Sequence, residues 1–145
     1  MKLLAWIGLT ALFAVLASLF AEFYLDHAPC LLCWIQRGLW IALLPVSLMG
    51  IGRNFRRLAK WIAALLIALN GLAALYHTLV QYKVLEDRCK TTFRISDAAE
   101  YSALLGEKKE TGCSKKSWTV GKIPAPFLNG AVCAWLLFRI YRDRD

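Results

Sequence analysis

An all-α integral membrane protein, built as a bundle of four transmembrane helices with a long outer loop, is the fold class this sequence predicts. Three observations carry that expectation. Of 145 residues, 59% are hydrophobic and 19% charged, with a mean hydropathy of +0.48, against an apolar content of roughly 45 to 50% in soluble domains. The apolar residues are bunched into four long stretches, three of them near the ~20 residues a helix needs to cross a bilayer and the last somewhat shorter. Basic residues flank those stretches in short clusters, so the net charge of +8 reads as a topology signal and not as a nucleic-acid face. Residues 1–145 form one membrane domain on this reading, without internal repeats, low-complexity segments or a nucleic-acid partner.

The first stretch, residues 3–24, follows Lys2 and has Glu22 and Asp26 near its far end. Lys2 and Val15-Leu16-Ala17 fit a signal peptide loosely. The run continues through Leu19, Phe20 and Phe23, however, and is long enough to span. Glu22 receives no role from the sequence.

The second span, residues 31–51, is interrupted by Arg37 and carries Pro45. It exits into Gly52 to Lys60, a segment with four cationic side chains and no acid. The positive-inside rule places that segment in the cytoplasm, so the other end of the span, with Cys30 and Cys33, faces outward.

The third span, residues 61–82, returns to the outer side with His77 near its outer end. The outer loop, residues 83–122, holds nine Lys or Arg residues and six acids. The charge rule weakens as loops lengthen, and the Arg53 to Lys60 cluster is the stronger signal. Within the loop, Ser96 to Gly106 reads as a short surface helix with Ser96 as N-cap, Asp97 in the first turn and Gly106 as stop. Ala98, Tyr101 and Leu105 share a face that suits either the bilayer surface or the outer ends of the bundle. The fourth span, residues 126–141, is entered at Pro124 and Pro126 and left at Arg139, Arg142 and Arg144. Both termini are then cytoplasmic.

The five cysteines are Cys30, Cys33, Cys89, Cys113 and Cys133. Four of them fall outside or at the edge of the apolar stretches and Cys133 lies within one, which suggests two pairs and a small apolar core residue. Pro29-Cys30-Leu31-Leu32-Cys33-Trp34-Ile35-Gln36-Arg37 opens the second span. Two cysteines three apart at a helix start can close a disulfide or expose a thiolate, because the helix N-terminus favours negative charge. Arg37 lies one turn beyond Cys33 on the same face. An arginine at the membrane centre costs at least ~2.5 to 3.5 kcal/mol, which marks it as functional.

Arg37 and His77 both fall roughly 8 to 9 Å below the outer ends of their spans. At matching depth beside a dithiol, they suit a carbonyl-bearing, lipid-soluble oxidant. Dithiol oxidation releases two electrons and two protons, and reduction of a quinone takes up both. Arg37 would stabilise negative charge on Cys33 and on the oxygen of such an oxidant. No haem, flavin or nucleotide motif is present, and Trp34, Trp40 and Trp118 read as interfacial or packing residues.

Two other readings of the cysteines stay open. Cys30, Cys33, Cys89 and Cys113 have the ligand types of an all-cysteine zinc site, although the second pair lacks the short knuckle spacing. Alternatively, Cys89 and Cys113 close the loop with a static disulfide. A small structural or zinc-binding membrane protein is the corresponding alternative function.

At these residues the sequence resembles the DsbB/BdbC family of membrane disulfide-generating proteins. The resemblance covers nearly the whole chain: Pro-Cys-x-Leu-Cys-x-x-x-Arg at Pro29 to Arg37, Tyr76-His77-Thr78, a cysteine pair in the second outer loop, and Gly112-Cys113 followed by Trp118 and a proline-led last span. It implies a bacterial inner-membrane, multi-pass oxidoreductase with its redox cysteines on the periplasmic side. Such a protein reoxidises a periplasmic thioredoxin-fold partner of the DsbA type and passes electrons to ubiquinone or menaquinone. Residue by residue, it implies that Cys89 accepts the mixed disulfide with the partner and Cys113 exchanges with Cys30. Cys33 then meets the quinone beside Arg37, with His77 as a further quinone contact. Cys133 is outside that pattern, and no metal is implied.

Overall fold

The computed structural model describes residues 2–24, 29–50, 52, 54–86, 113, 119–120 and 123–143. The surface helix expected at 96–106, together with Cys89 and Trp118, lies outside the described residues. The described chain is helical: α1 (Lys2–Tyr24), α2 (Leu31–Met49), α3 (Arg56–Gln81) and α4 (Ala125–Arg142). Immediately before α4, β1 (Thr119–Val120) and β2 (Ile123–Pro124) form a two-residue antiparallel pair that the sequence reading did not anticipate.

Three of the helices, α1 to α3, are long and apolar enough to cross a membrane. The 18-residue α4 is not among them, because Asn129, Arg139 and Arg142 dilute its apolar content. In α1, Leu4, Ile7 and Ala11 form a buried stripe at helical spacing, while Trp6, Leu9, Phe13, Leu16 and Phe20 are exposed. A helix apolar on every face that covers only one stripe with protein is suited to lipid on the others.

Consecutive helices pack on one another, α1 on α2, α2 on α3 and α3 on α4, whereas α1 and α4 barely meet. Small residues allow the close approaches. A Cβ added at Gly8 would stand 2.5 Å from Ser47 Oγ across the α1/α2 interface, and one at Gly71 would stand 3.3 Å from Cys133 Cβ across α3/α4. Cys133 is buried in the main core with Ile67, Leu136 and Ile140.

The start of α3 differs from the expected span: Arg56, Arg57 and Lys60 already lie in its first two turns, so the link from α2 is shorter than the basic segment suggested. On the buried side of α3, Ala59, Ala63, Ile67, Asn70, Ala74 and His77 recur at steps of three or four. Asn70 and His77 thus stand in the stripe that alanines use to pack. At its other end α3 closes in a Schellman motif. Val84 donates its N–H to Leu79 O and Lys83 to Val80 O, with Lys83 at φ 58° in the left-handed position usually taken by glycine.

Candidate redox site at the start of α2

Pro29 precedes the helix, and Cys30 occupies the N-cap of α2 in extended conformation, at φ −78° and ψ 169°. Its sulfur accepts the backbone N–H of Cys33 at 3.2 Å, satisfying one of the donors that every helix start leaves open. That capping contact draws the two side chains together. The Cys30 and Cys33 sulfurs are 2.6 Å apart, inside non-bonded sulfur contact and so within reach of forming a disulfide. Hydrogen bonding to Cys33 and, after it, burial push the Cys30 thiol well above its usual range. Cys30 is buried and Cys33 half-buried.

Cys113 is brought to the same place. It is fully buried in a cluster with Cys30, Leu32 and Val80, and it is disulfide-bonded.

His77 reaches the pair from α3. Its Nε2 lies 3.7 Å from Cys30 Sγ, and the ring is 1% exposed. Behind it stands a run of buried polar contacts that crosses three helices. The Trp40 indole, which can only donate, gives its N–H to Asn129 Oδ1 at 2.9 Å. Asn129 therefore turns its Nδ2 inward, donating to Gln36 Oε1 and to Asn70 Oδ1, each at 3.0 Å. With its oxygen so engaged, Gln36 presents Nε2 to His77 Nδ1 at 3.5 Å, and Asn70 Nδ2 donates to Gln36 O at 3.4 Å. An amide nitrogen thus faces each ring nitrogen, Gln36 Nε2 at Nδ1 and Gln81 Nε2 at Nε2, the latter also at 3.5 Å, so these contacts orient the ring without selecting a tautomer.

Arg37 is on a different face of α2 and engages α1. Its Nη1 pairs with Glu22 Oε2 at 2.7 Å, and Nε donates to Ser18 Oγ at 2.9 Å. Ser18 in turn donates to Val15 O, so its hydroxyl uses both capacities. The guanidinium also lies over the Trp34 ring, 4.9 Å from its centroid. Arg37 and His77 thus flank the cysteine pair without converging, one toward α1 and the other toward α3.

Glu22, Ser18, Gln36, Asn70 and Asn129 were not singled out by the sequence reading. Asn70 carried a usable signal, since it stands seven residues before His77 and so shares its helix face. Asn129 and Glu22 offered none, because each becomes significant only through a partner on another helix.

Cys30, Cys33 and His77 place three potential metal-ligand atoms within 4.8 Å of one another. Two thiolates on one tetrahedral zinc stand about 3.8 Å apart, however, and these sulfurs are much closer. Cys113, being disulfide-bonded, supplies no thiolate to an all-cysteine site.

A family profile described as "Disulfide bond formation protein DsbB" matches residues 2–141. No curated protein and no solved structure matches the chain.

Proposed function

From the premise that the chain belongs to the DsbB family of membrane disulfide-generating oxidoreductases, we propose that it reoxidises a thioredoxin-fold dithiol oxidase of the DsbA type and delivers the electrons to a membrane quinone. The observation that carries this reading is the buried cluster in which Cys113 lies with Cys30, whose sulfur is 2.6 Å from that of Cys33. Disulfide exchange requires three sulfurs within reach of one another.

In this scheme the reduced partner attacks the Cys89/Cys113 pair and leaves oxidised. Cys113 then attacks Cys30 of the Cys30–Cys33 disulfide, forming a Cys113–Cys30 disulfide and releasing Cys33 as a thiolate. Cys89 attacks Cys113 to restore the Cys89–Cys113 disulfide and free Cys30, and the Cys30/Cys33 dithiol gives two electrons and two protons to the quinone as its own disulfide re-forms. His77, whose Nε2 lies 3.7 Å from the Cys30 sulfur, is positioned to exchange a proton with it. Arg37, Trp34 and half-buried Cys33 would hold the quinone, because they combine a cation, a ring face and a sulfur on the side of α2 that faces α1. The quinone supplies a two-electron, two-proton acceptor, so the sum is one dithiol oxidised and one quinone reduced.

Four membrane crossings, cytoplasmic termini and a periplasmic cysteine end in a bacterial inner membrane complete the reading. It is supported by Arg56, Arg57, Lys60, Arg139 and Arg142 at the helix ends remote from Cys30.

The test is anaerobic quinone reduction by the purified protein in detergent, driven by a reduced thioredoxin-fold dithiol protein, with ubiquinone and menaquinone tried separately. Turnover is expected with one of them and is lost in Cys33→Ser. Wild-type turnover in Cys33→Ser, or none with either quinone, overturns the proposal. In the latter case stoichiometric bound zinc would favour the metal-site alternative.

A further inference from the structure

The end of the bundle remote from the cysteines holds a cavity of about 630 Å³ between the start of α3 and the end of α4. Arg56 at its rim is 21 residues before His77, which is roughly 30 Å along the helix. That is the thickness of a bilayer's hydrocarbon core, so the cavity lies at the opposite headgroup level.

Its walls change character with depth. Arg56, Arg57 and Lys60 bring three cations from α3, while Ala64, Leu137 and Ile140 give an apolar lining from α3 and α4. Trp61 and Tyr141, both exposed, stand between the two zones, as amphipathic rings do at membrane interfaces. Among the described residues one acid, Asp143, lines the same cavity. Its carboxylate pairs with Lys60, and its backbone carbonyl accepts from Lys60 Nζ at 3.2 Å. Lys60 is therefore neutralised from within, and Arg56 and Arg57 remain as the cations facing the space.

Arg56 adds an independent observation. Its Nε is buried and has no hydrogen-bond partner among the described residues, which is a costly state for a charged donor. An anion in the cavity would satisfy it.

We propose that this cavity is a binding site for an anionic phospholipid. The phosphodiester sits against Arg56 and Arg57, and an acyl chain runs along Ala64, Leu137 and Ile140. A free phosphate shares the headgroup chemistry but leaves the apolar half of the cavity unexplained, so the lipid is the occupant the walls favour. This site is separate from the redox site and does not depend on how that one works.

The experiment is native mass spectrometry of the full chain in detergent, titrated with phosphatidylglycerol, with phosphatidylcholine of identical tails and with inorganic phosphate. Each basic residue near a membrane surface favours anionic lipid about fivefold, so two arginines predict a preference for phosphatidylglycerol of roughly 20- to 30-fold. Arg56→Gln/Arg57→Gln should abolish that preference. Asp143→Asn, which frees Lys60 and removes the competing carboxylate, should strengthen it by a further fewfold. Arg139→Gln, outside the cavity, should leave it intact. Equal retention of the two lipids, a preference that survives the double substitution, or an equal loss in Arg139→Gln overturns the site. Inorganic phosphate binding as tightly as the lipid would assign the cavity to a soluble anion and likewise overturn the proposal.

Discussion

Glu22 and Arg37 form an ion pair across the α1/α2 interface, with Arg37 Nη1 2.7 Å from Glu22 Oε2 and the arginine side chain 7% exposed. The pair explains how α2 carries a guanidinium nearly two turns inside its apolar length. The charge is compensated by a carboxylate from the neighbouring helix and fixed by Ser18, so its position beside the cysteine turn does not depend on a flexible side chain finding a place.

Breaking a buried pair by removing one partner leaves an uncompensated charge, at a cost of about 3 to 5 kcal/mol. Glu22→Ala should therefore lower the thermal unfolding temperature in detergent well below that of wild type, and Glu22→Ala/Arg37→Met should recover most of the loss. A Glu22→Ala protein as stable as wild type would remove the pair from the fold's determinants.

Trp40 belongs to the main core and not to the cluster that holds Cys30 and Cys113, yet it fixes which way Asn129 and then Gln36 point. Trp40→Phe removes that donor and allows both amides to turn, so the polar contacts that hold the His77 ring beside Cys30 loosen. The net worth of one hydrogen bond, about 1 kcal/mol, predicts roughly a fivefold fall in the rate of Cys113 exchange with the Cys30–Cys33 disulfide. The fall should come with an altered pH profile and unchanged quinone KM. A fall in stability alone, with exchange rate and pH profile intact, would make Trp40 a packing residue.

Alkylation of the reduced protein distinguishes the two thiols. Cys30 is buried, and its thiol is raised by the Cys33 contact. A raised value means less thiolate at a given pH, so Cys30 modification should become appreciable only above the ordinary thiol range near 8.5. Half-buried Cys33 should be labelled first at pH 7, as read by peptide mass spectrometry on a Cys133→Ala background. Faster labelling of Cys30 at pH 7 would contradict the capping geometry.

Gly8 faces Ser47 so closely that any Cβ collides with the hydroxyl. Gly8→Val should separate α1 from α2 and loosen the Glu22–Arg37 pair. The expected outcome is a destabilisation of about 1 to 3 kcal/mol, the usual cost of overpacking, together with weaker quinone use. Gly38, whose added Cβ would meet nothing within 4 Å, provides the control: Gly38→Ala should be stable and active.

Much of this protein was legible along the chain, because the properties concerned are local. Apolar length alone gave α1 to α3, and the Pro29 to Arg37 pattern located the cysteine turn, since a proline, two cysteines at one-turn spacing and an intramembrane arginine act within nine consecutive residues. The proline-led stretch at 126–141 likewise gave α4 to within one residue at each end, although Asn129, Arg139 and Arg142 make it too polar to be recognised as a span by hydropathy. The structure accounts for that polarity: Asn129 is the hub at which Trp40, Gln36 and Asn70 meet. Those partners are 89, 93 and 59 residues from it in sequence. The tertiary structure alone decided that Arg37 turns to Glu22 while His77 turns to Cys30, and that Cys113 enters the same cluster. A helix specifies which residues share a face, but a hydrogen bond between helices depends on which faces pack together, and local pattern does not contain that information.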